Sequence, residues 1–315
     1  MIESLKKDYK LKDEGDLNEY LGIKMQRLED GSRKLTQPAL IKRILKQVQI
    51  PEQRPKKRRP QRTPANKVLQ KDLGGLPRQH NWDYRSVIGM LNWLAKSTRP
   101  DIAFAVSQVA RFQVNPRRSH ENAVLRICKY LRDTKEEGMT MRAKNEGFVV
   151  YADSDFAGGY MKGHTHDPGT AKSRSAYYIM FNGCLVFWSS KLQTEIALST
   201  TEAEYICLSQ ALQTTKYLMR FLREVSKNLP EFQPKKPIFR CTVFEDNNGA
   251  IELAKSPKLK PRTKHIHIKY HHFKSEVGKS IHIEKIGTEK QLADIGTKPL
   301  SRNLFARLRK ELIGW

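Results

Sequence analysis

Three acidic residues in the C-terminal half of the sequence stand where strands and a helix could carry them to one point. Asp153 closes the apolar run FVVYA, and Asp246 follows the run IFRCTVFE. If those runs are neighbouring parallel strands, both carboxylates emerge at the same sheet edge, where open α/β sheets carry their sites. Two carboxylates held there repel each other unless one is protonated or a cation bridges them. A hard, oxygen-seeking ion, Mg²⁺ or Mn²⁺, is the natural bridge. The third acid comes from the segment after Ser199. Ser199-Thr200-Thr201-Glu202 reads as a capping box, which occupies Glu202 at a helix start. The apolar stripe of that helix is Ala203, Cys207, Ala211, Leu218, Phe221, Leu222 and Val225. Helical phase puts Glu204 roughly 60° from its middle and Glu202 roughly 140° away. Glu204 is therefore expected to look over the sheet rim toward Asp153, and Glu202 to face water. Asp155 could be an outer ligand, but a turn cap is the simpler reading. Asp294, taken alone, reads as a solvated acid on a helix surface.

The elements that must position these acids alternate in type. SAYYIMF and CLVFWS read as strands joined by Asn182-Gly183, a tight-hairpin dipeptide. A long helix over 200–226, the strand preceding Asp246, a short helix from Asn248, a helix over 263–277 ending at Gly278, the strand SIHIEKI and a terminal helical stretch follow. The pattern predicts one mixed sheet covered by helices, an α/β layer architecture. Upstream, residues 20–36 read as a hairpin around Glu29-Asp30-Gly31-Ser32. Pro38 opens an amphipathic helix with Ile41, Ile44, Leu45 and Val48 on one side, and helices are expected over 84–96, 101–114 and 119–133. Between them, Pro51 to Pro64 forms a basic, proline-containing linker.

Lys and Arg total 58 against 33 Asp and Glu in 315 residues, a formal net charge of +25. Such an excess repels itself and calls for a polyanionic partner, nucleic acid before an acidic membrane surface. No apolar run has the length of a membrane span, and MIESLKKDYK lacks a signal-peptide core, so an intracellular protein (cytoplasm, virus-like particle or nucleus) is expected. Cys128, Cys184, Cys207 and Cys241 form no CxxC pair and read as free thiols. His265, His267, His271 and His272 include an i, i+4 pair, His267 and His271, that could ligate zinc; with no Cys or carboxylate ligand nearby they read as surface histidines.

The blocks YADSDFAGG, KSRSAYYIMFNG, ALSTTEAEYICLSQA, FEDNNGAIELAK, PRTKHIHIKYHHFKSEV and TEKQLADIGTKPL resemble, in order, the ribonuclease H domain of copia-type retrotransposon polyproteins. The resemblance implies a ribonuclease H-like five-stranded mixed sheet flanked by helices over residues 145–315. It implies catalytic, metal-holding roles for Asp153, Glu204, Asp246 and Asp294, with two Mg²⁺ (or Mn²⁺) ions hydrolysing the RNA of an RNA/DNA hybrid. Helical phase picks the same Glu204. Two departures stand out: the family often has an acid where His267 stands, and the loop GTEKQ before Asp294 lacks the histidine of many cellular ribonucleases H.

LKKDYKLKDEGDLNEYLGIKMQRLEDGSRKLTQPALIKRIL and YRSVIGMLNWLAKSTRPDIAFAVSQVARF resemble the end of the reverse transcriptase palm and the helical thumb of the same polyproteins. On that resemblance residues 1–50 hold a primer-grip-like hairpin and the first thumb helix, 51–83 a basic linker, and 84–144 the helical thumb and connection. The polymerase Asp-Asp pair would lie before Met1, so the chain is expected not to polymerise alone and to work with the remainder of the reverse transcriptase. Lys56, Lys57, Arg58, Arg59, Arg174 and Lys264 are the expected nucleic-acid contacts. A catalytically silent nucleic-acid-binding remnant is the alternative. An integrase is a third, disfavoured because its Glu typically comes last, whereas the order here is Asp, Glu, Asp, Asp.

Overall fold

The Asp30-Gly31-Ser32 turn is built by its own side chains. Asp30 accepts hydrogen bonds from the Ser32 amide (3.0 Å) and hydroxyl (2.5 Å), and Gly31 takes the positive φ (+79°) that favours glycine. The structure, a computed structural model, describes residues 10, 18–144, 146–160, 168–228, 239–256 and 268–315. That turn joins β2 (Ile23–Arg27) to β3 (Arg33–Thr36), and β1 (Glu19–Tyr20) pairs with β2. Helix α1 (Pro38–Gln47) follows with Pro at its first turn, burying Ile41, Ile44 and Leu45 as the apolar spacing requires. Residues 51–59 are exposed and form no helix or strand.

Asp83 caps α2 (Tyr84–Ser97) by accepting the amides of Arg85 and Ser86. A 3₁₀ turn at Pro100–Ile102 leads into α3 (Ala103–Ala110), shorter than the 101–114 expected, and then α4 (Arg118–Asp133). Strand β4 (Met139–Met141) closes the first sheet, all antiparallel, in the order β1-β2-β3-β4.

The second sheet contains β5 (Phe148–Asp155), β6 (Arg174–Phe181) and β7 (Cys184–Leu192). Asn182 and Gly183 both take positive φ (+47° and +76°), the two left-handed positions of the expected hairpin turn. Helix α5 (Thr200–Asn228), β8 (Cys241–Glu245), α6 (Asn248–Lys255), β9 (Ile281–Lys285), α7 (Asp294–Thr297) and α8 (Arg302–Ile313) complete the chain. The strand order is β7-β6-β5-β8-β9, with β5, β8 and β9 parallel and β6 and β7 antiparallel. This is a mixed five-stranded sheet flanked by helices, the architecture expected from the sequence.

Each sheet face buries against helices. Val150, Ala152, Tyr177, Ile179 and Val243 pack under α5 and α6. Ala176, Tyr178 and Leu185 share the opposite core with α7, α8 and the helices α1 to α4. Polar ties cross this second face: Trp188 Nε1 donates to the Ala95 carbonyl (2.7 Å), and Arg174 donates to Ser107 Oγ (2.7 Å). The N-terminal helices thus cover a sheet face that would otherwise lie open.

One expected helix is not found. In place of a helix over 263–277, the described residues hold two 3₁₀ turns, Ile268–His271 and Lys274–Glu276. Side chains pin this segment to its neighbours: Tyr270 donates to Glu195, His271 Nδ1 meets the Tyr205 hydroxyl (2.7 Å), and His272 Nε2 meets the Ser209 carbonyl. Those contacts fix residues that a continuous helix would rotate away. His265, His267 and Lys264 lie outside the described residues, as does the start of that helix.

A buried ion pair ties the helical part to the C-terminus. Arg99 and Asp101 are both fully enclosed and joined by two hydrogen bonds (2.9 and 2.8 Å); Tyr130 donates to Asp101 (2.6 Å), and Arg309 reaches the Tyr130 hydroxyl (3.1 Å). Removing one partner strands the other charge without water. Asp101→Asn is therefore expected to cost about 3–5 kcal/mol of stability, read from urea unfolding followed by circular dichroism; a change within about 0.5 kcal/mol would show that the pair is not enclosed in solution.

Candidate active site

The register of β5 against β8 pairs Tyr151 with Phe244. Two residues further on come Asp153, still in β5, and Asp246, immediately past the end of β8. Glu204, the fifth residue of α5, arrives from above the sheet. Oxygen atoms of Asp153, Glu204 and Asp246 all lie within 4.8 Å of one another. Asp294, first residue of α7, lies beside Asp153, whose carboxylate raises its pKa, and Lys298 is flanked by both. The four acids singled out in the sequence therefore meet at one rim of the sheet.

Buried glutamines and a glycine hold them there. Gln193 Nε2 donates to Ser175 Oγ (2.8 Å) and to the Ala203 carbonyl (2.8 Å), clamping the first turn of α5 onto the sheet. Cys207 Sγ reaches the Asp153 carbonyl (3.1 Å) one turn later. Gln291 Nε2 donates to the Ala152 carbonyl (2.8 Å), and its Oε1 accepts the Ala293 amide (3.3 Å), setting the start of α7 beside β5. Gly296 lets α7 touch the sheet: a Cβ there would lie 2.6 Å from the Ala176 Cβ and 2.8 Å from the Tyr178 hydroxyl. Thr297 then donates to Asp153, and Thr288 Oγ1 donates to Asp246 (2.9 Å).

Charge in this pocket is costly. Asp153, Glu204 and Asp294 are 4, 7 and 2% exposed. Burial first, and then the Glu245 and Asp153 carboxylates, push the Glu204 carboxyl well above the ordinary range. Burial also raises Asp153, against the pull of Lys298. Asp294 rises to about 7, through burial and the neighbouring Asp153. Lys298 keeps its proton despite burial because Asp153 and Asp294 flank it, with its Nζ 2.7 Å from Asp294 Oδ1.

These residues fit a divalent cation. The donors are all carboxylate oxygens, the set that Mg²⁺ and Mn²⁺ select. Glu204 Oε2 is buried with no hydrogen-bond partner, so a cation would supply what the protein does not.

The sequence reading missed Glu245 and Lys298. Glu245 is fully buried, its Oε1 accepting the Asn247 amide (3.1 Å), and burial holds its carboxyl well above the ordinary range. Its signal was alternation, since Cys241, Val243 and Glu245 share one strand face. Lys298 stands at i+4 from Asp294, a spacing that pairs charges on a helix face.

Two expectations are corrected. Glu202 does not face water: it is 8% exposed, and its carboxylate accepts the Leu198 amide (2.7 Å) beneath the helix start, while its own amide donates to Ser199 Oγ (3.1 Å). Arg174 is no surface contact for nucleic acid, being 3% exposed and donating to Ser107 inside the core. Burial, followed by repulsion from Arg111, lowers its pKa to about 10. Lys56, Lys57, Arg58 and Arg59 are exposed. Asp155 lies against the turn, where a Cβ on Gly158 would meet its carboxylate.

No family model matches the chain. The retrovirus-related Pol polyprotein from transposon TNT 1-94 of Nicotiana tabacum is 34% identical over 320 residues, covering 98% of this chain and 22% of that protein. The corresponding polyprotein from transposon RE1 of Arabidopsis thaliana is 29% identical over 314 residues, covering 99% of this chain and 20% of that protein. The chain thus spans about a fifth of the length of the curated relatives it matches. Among solved structures, the N-terminal RNase H domain of a Mycobacterium tuberculosis protein, fused to maltose-binding protein, aligns with 53% of this chain and 98% of that chain at 12% identity and a TM-score of 0.33.

A raised carboxyl pKa means that the folded chain holds a proton the unfolded chain has lost. For Asp294 the window runs from the ordinary carboxyl value, about 4, to about 7, and the fold loses stability as pH rises through it. In chelator, Asp294→Asn should therefore gain thermal stability relative to the unaltered chain as pH goes from about 5 to about 8. Scanning calorimetry of both proteins reads the difference, and a gap that stays constant with pH contradicts a buried Asp294 carboxyl raised by its neighbour Asp153.

Proposed function

The chain belongs with the retrovirus-related Pol polyproteins of copia-type transposons, and on that premise we propose that it is a ribonuclease H-type endonuclease acting on the RNA strand of RNA/DNA hybrids. The observation that carries this reading is the convergence of Asp153, Glu204 and Asp246 within 4.8 Å, with Asp294 beside Asp153, at the rim of a mixed five-stranded sheet.

Asp153, Glu204, Asp246 and Asp294 would hold two Mg²⁺ (or Mn²⁺) ions, with Asp153 serving both, Glu204 and Asp246 one, and Asp294 the other. Such ions would supply an activated water and stabilise the leaving 3′ oxygen, so that the products would carry a 5′ phosphate. The chain's own residues do the positioning. Gln193 and Cys207 fix the phase of α5 and so the reach of Glu204. Gln291 and Gly296 set Asp294 against β5. Thr297 and Thr288 orient the carboxylates of Asp153 and Asp246. Lys298, flanked by Asp153 and Asp294, offsets part of the negative charge of the acid cluster.

Selectivity for RNA comes from its 2′-hydroxyls in the minor groove. Exposed linker cations, Lys56 to Arg59, hold phosphates without reading sequence, so binding weakens steeply with salt. The remainder of a reverse transcriptase is the natural protein partner, inside the cell.

With Mg²⁺ and an end-labelled hybrid, the full chain should cleave the RNA strand and leave single-stranded RNA and duplex DNA intact. Asp153→Asn should slow cleavage about 10²-fold or more, the scale of losing a group that stabilises transition-state charge, while still retaining the hybrid on a filter. If neither protein cleaves yet both retain the hybrid, the chain is a binding protein and the nuclease reading fails.

A further inference from the structure

Away from the acid cluster, segment 61–76 and helices α3 and α4 enclose a cavity of about 600 Å³. That volume lies inside the range of about 300–1,000 Å³ typical of small-ligand sites. One face of α4 supplies Arg118, Asn122, Arg126 and Lys129 to it, at intervals of four, four and three residues, and Lys67 faces them from the segment. Such spacing stacks the side chains one helical turn apart. Leu69, Val109 and Ile127 add apolar wall.

The charge of this cavity is not balanced. Asp72 is the one acid among its described lining residues, and it already accepts the Ser119 hydroxyl (2.5 Å). The Nε groups of Arg118 and Arg126 are buried and have no hydrogen-bond partner. Arg126 is held in place through Nη2, which donates to Thr63 Oγ1 (2.8 Å). Burial, then repulsion from Arg302, works against its charge. A guanidinium with a buried, unsatisfied N–H lacks an acceptor, and its planar fork matches a phosphate.

We propose that this cavity is a nucleotide-binding site, with Arg118, Arg126 and Lys129 on the phosphate and the base against the apolar wall. The nucleotide is either free or part of a single nucleic-acid strand; the recognising chemistry is the same. Its lining shares no residue with the acid cluster, so the site stands whether or not the chain cleaves hybrids.

Full-length protein in chelator, which silences the acid cluster, is titrated with AMP by calorimetry and with a fluorescent oligothymidylate of roughly eight nucleotides by anisotropy. Inorganic phosphate is the control. Arg118→Gln and Arg126→Gln should each weaken the bound probe at least about tenfold, and Asp153→Asn should leave it unchanged. Lys67→Gln with Lys129→Gln serves if the arginine variants do not fold, as judged by thermal unfolding, and is held to the same tenfold loss. AMP binding that competes with the oligonucleotide supports the free nucleotide; oligonucleotide binding alone supports the strand. No binding of either probe, binding indifferent to the cavity variants, or phosphate binding as tightly as AMP overturns the proposal.

Discussion

Five carboxyl groups crowd one end of the second sheet, and their mutual repulsion in a poorly hydrated place is the constraint the rest of the architecture answers. Asp153, Glu204, Glu245 and Asp294 are nearly or fully buried, and Asp246 sits among them half-buried. Water cannot solvate these charges, so the protein must tolerate them protonated, pair them, or offer them to a cation. All three responses are visible. Burial and the neighbouring Asp153 push the Asp294 carboxyl toward its protonated form, Lys298 reaches in with its ammonium, and Glu204 keeps an oxygen free of any protein donor. A pocket built for stability alone would not leave that oxygen bare.

Holding the acids together is work for buried polar side chains more than for the apolar core. Hydrophobic contact sets α5 on the sheet but tolerates small slides along it. Gln193 removes that freedom by binding the second strand and the helix backbone at once. Gln291 does the same between the ends of two parallel strands and the short helix that carries Asp294. A buried amide whose Nε2 donates to two elements at once favours the one geometry in which both acceptors are reached. Gly296 completes the fit by removing the side chain that would hold α7 off the sheet.

The same sheet also explains why the N-terminal helices belong to the structure of the site. Its second face buries Ala176, Tyr178 and Leu185 in one core with α1 to α4 and α8. The Arg99–Asp101 pair, with Tyr130 and Arg309, locks α4 to α8 across that core. The net charge of +25 is then distributed by burial. Arg174 and Arg99 are consumed as internal struts, whereas residues 56–59 remain at the surface. Counting cations overstates the surface available to a polyanion, because a guanidinium can hydrogen-bond in several directions at once and so serves in a core.

By itself the sequence determined the local facts. Apolar runs placed the five strands, Asn182-Gly183 set their first hairpin, and a helical phase of 100° per residue separated Glu204 from Glu202. These depend on neighbours a few residues away, which a linear pattern records. Tertiary structure alone decided the rest. Glu202 is covered although its phase points outward, because its carboxylate turns back to cap Leu198. Arg174 is interior because β6 is buried on both faces along most of its length, leaving no alternation to read. The stretch around His271 and His272 breaks into short turns because Tyr205 and Ser209, more than sixty residues earlier, hold its side chains. Asp294 reads as a solvated acid on its own helix and becomes a buried partner of Asp153 only once Gln291 and Gly296 bring that helix onto the sheet. Contacts between residues distant in the chain leave no periodic trace, so packing had to reveal them.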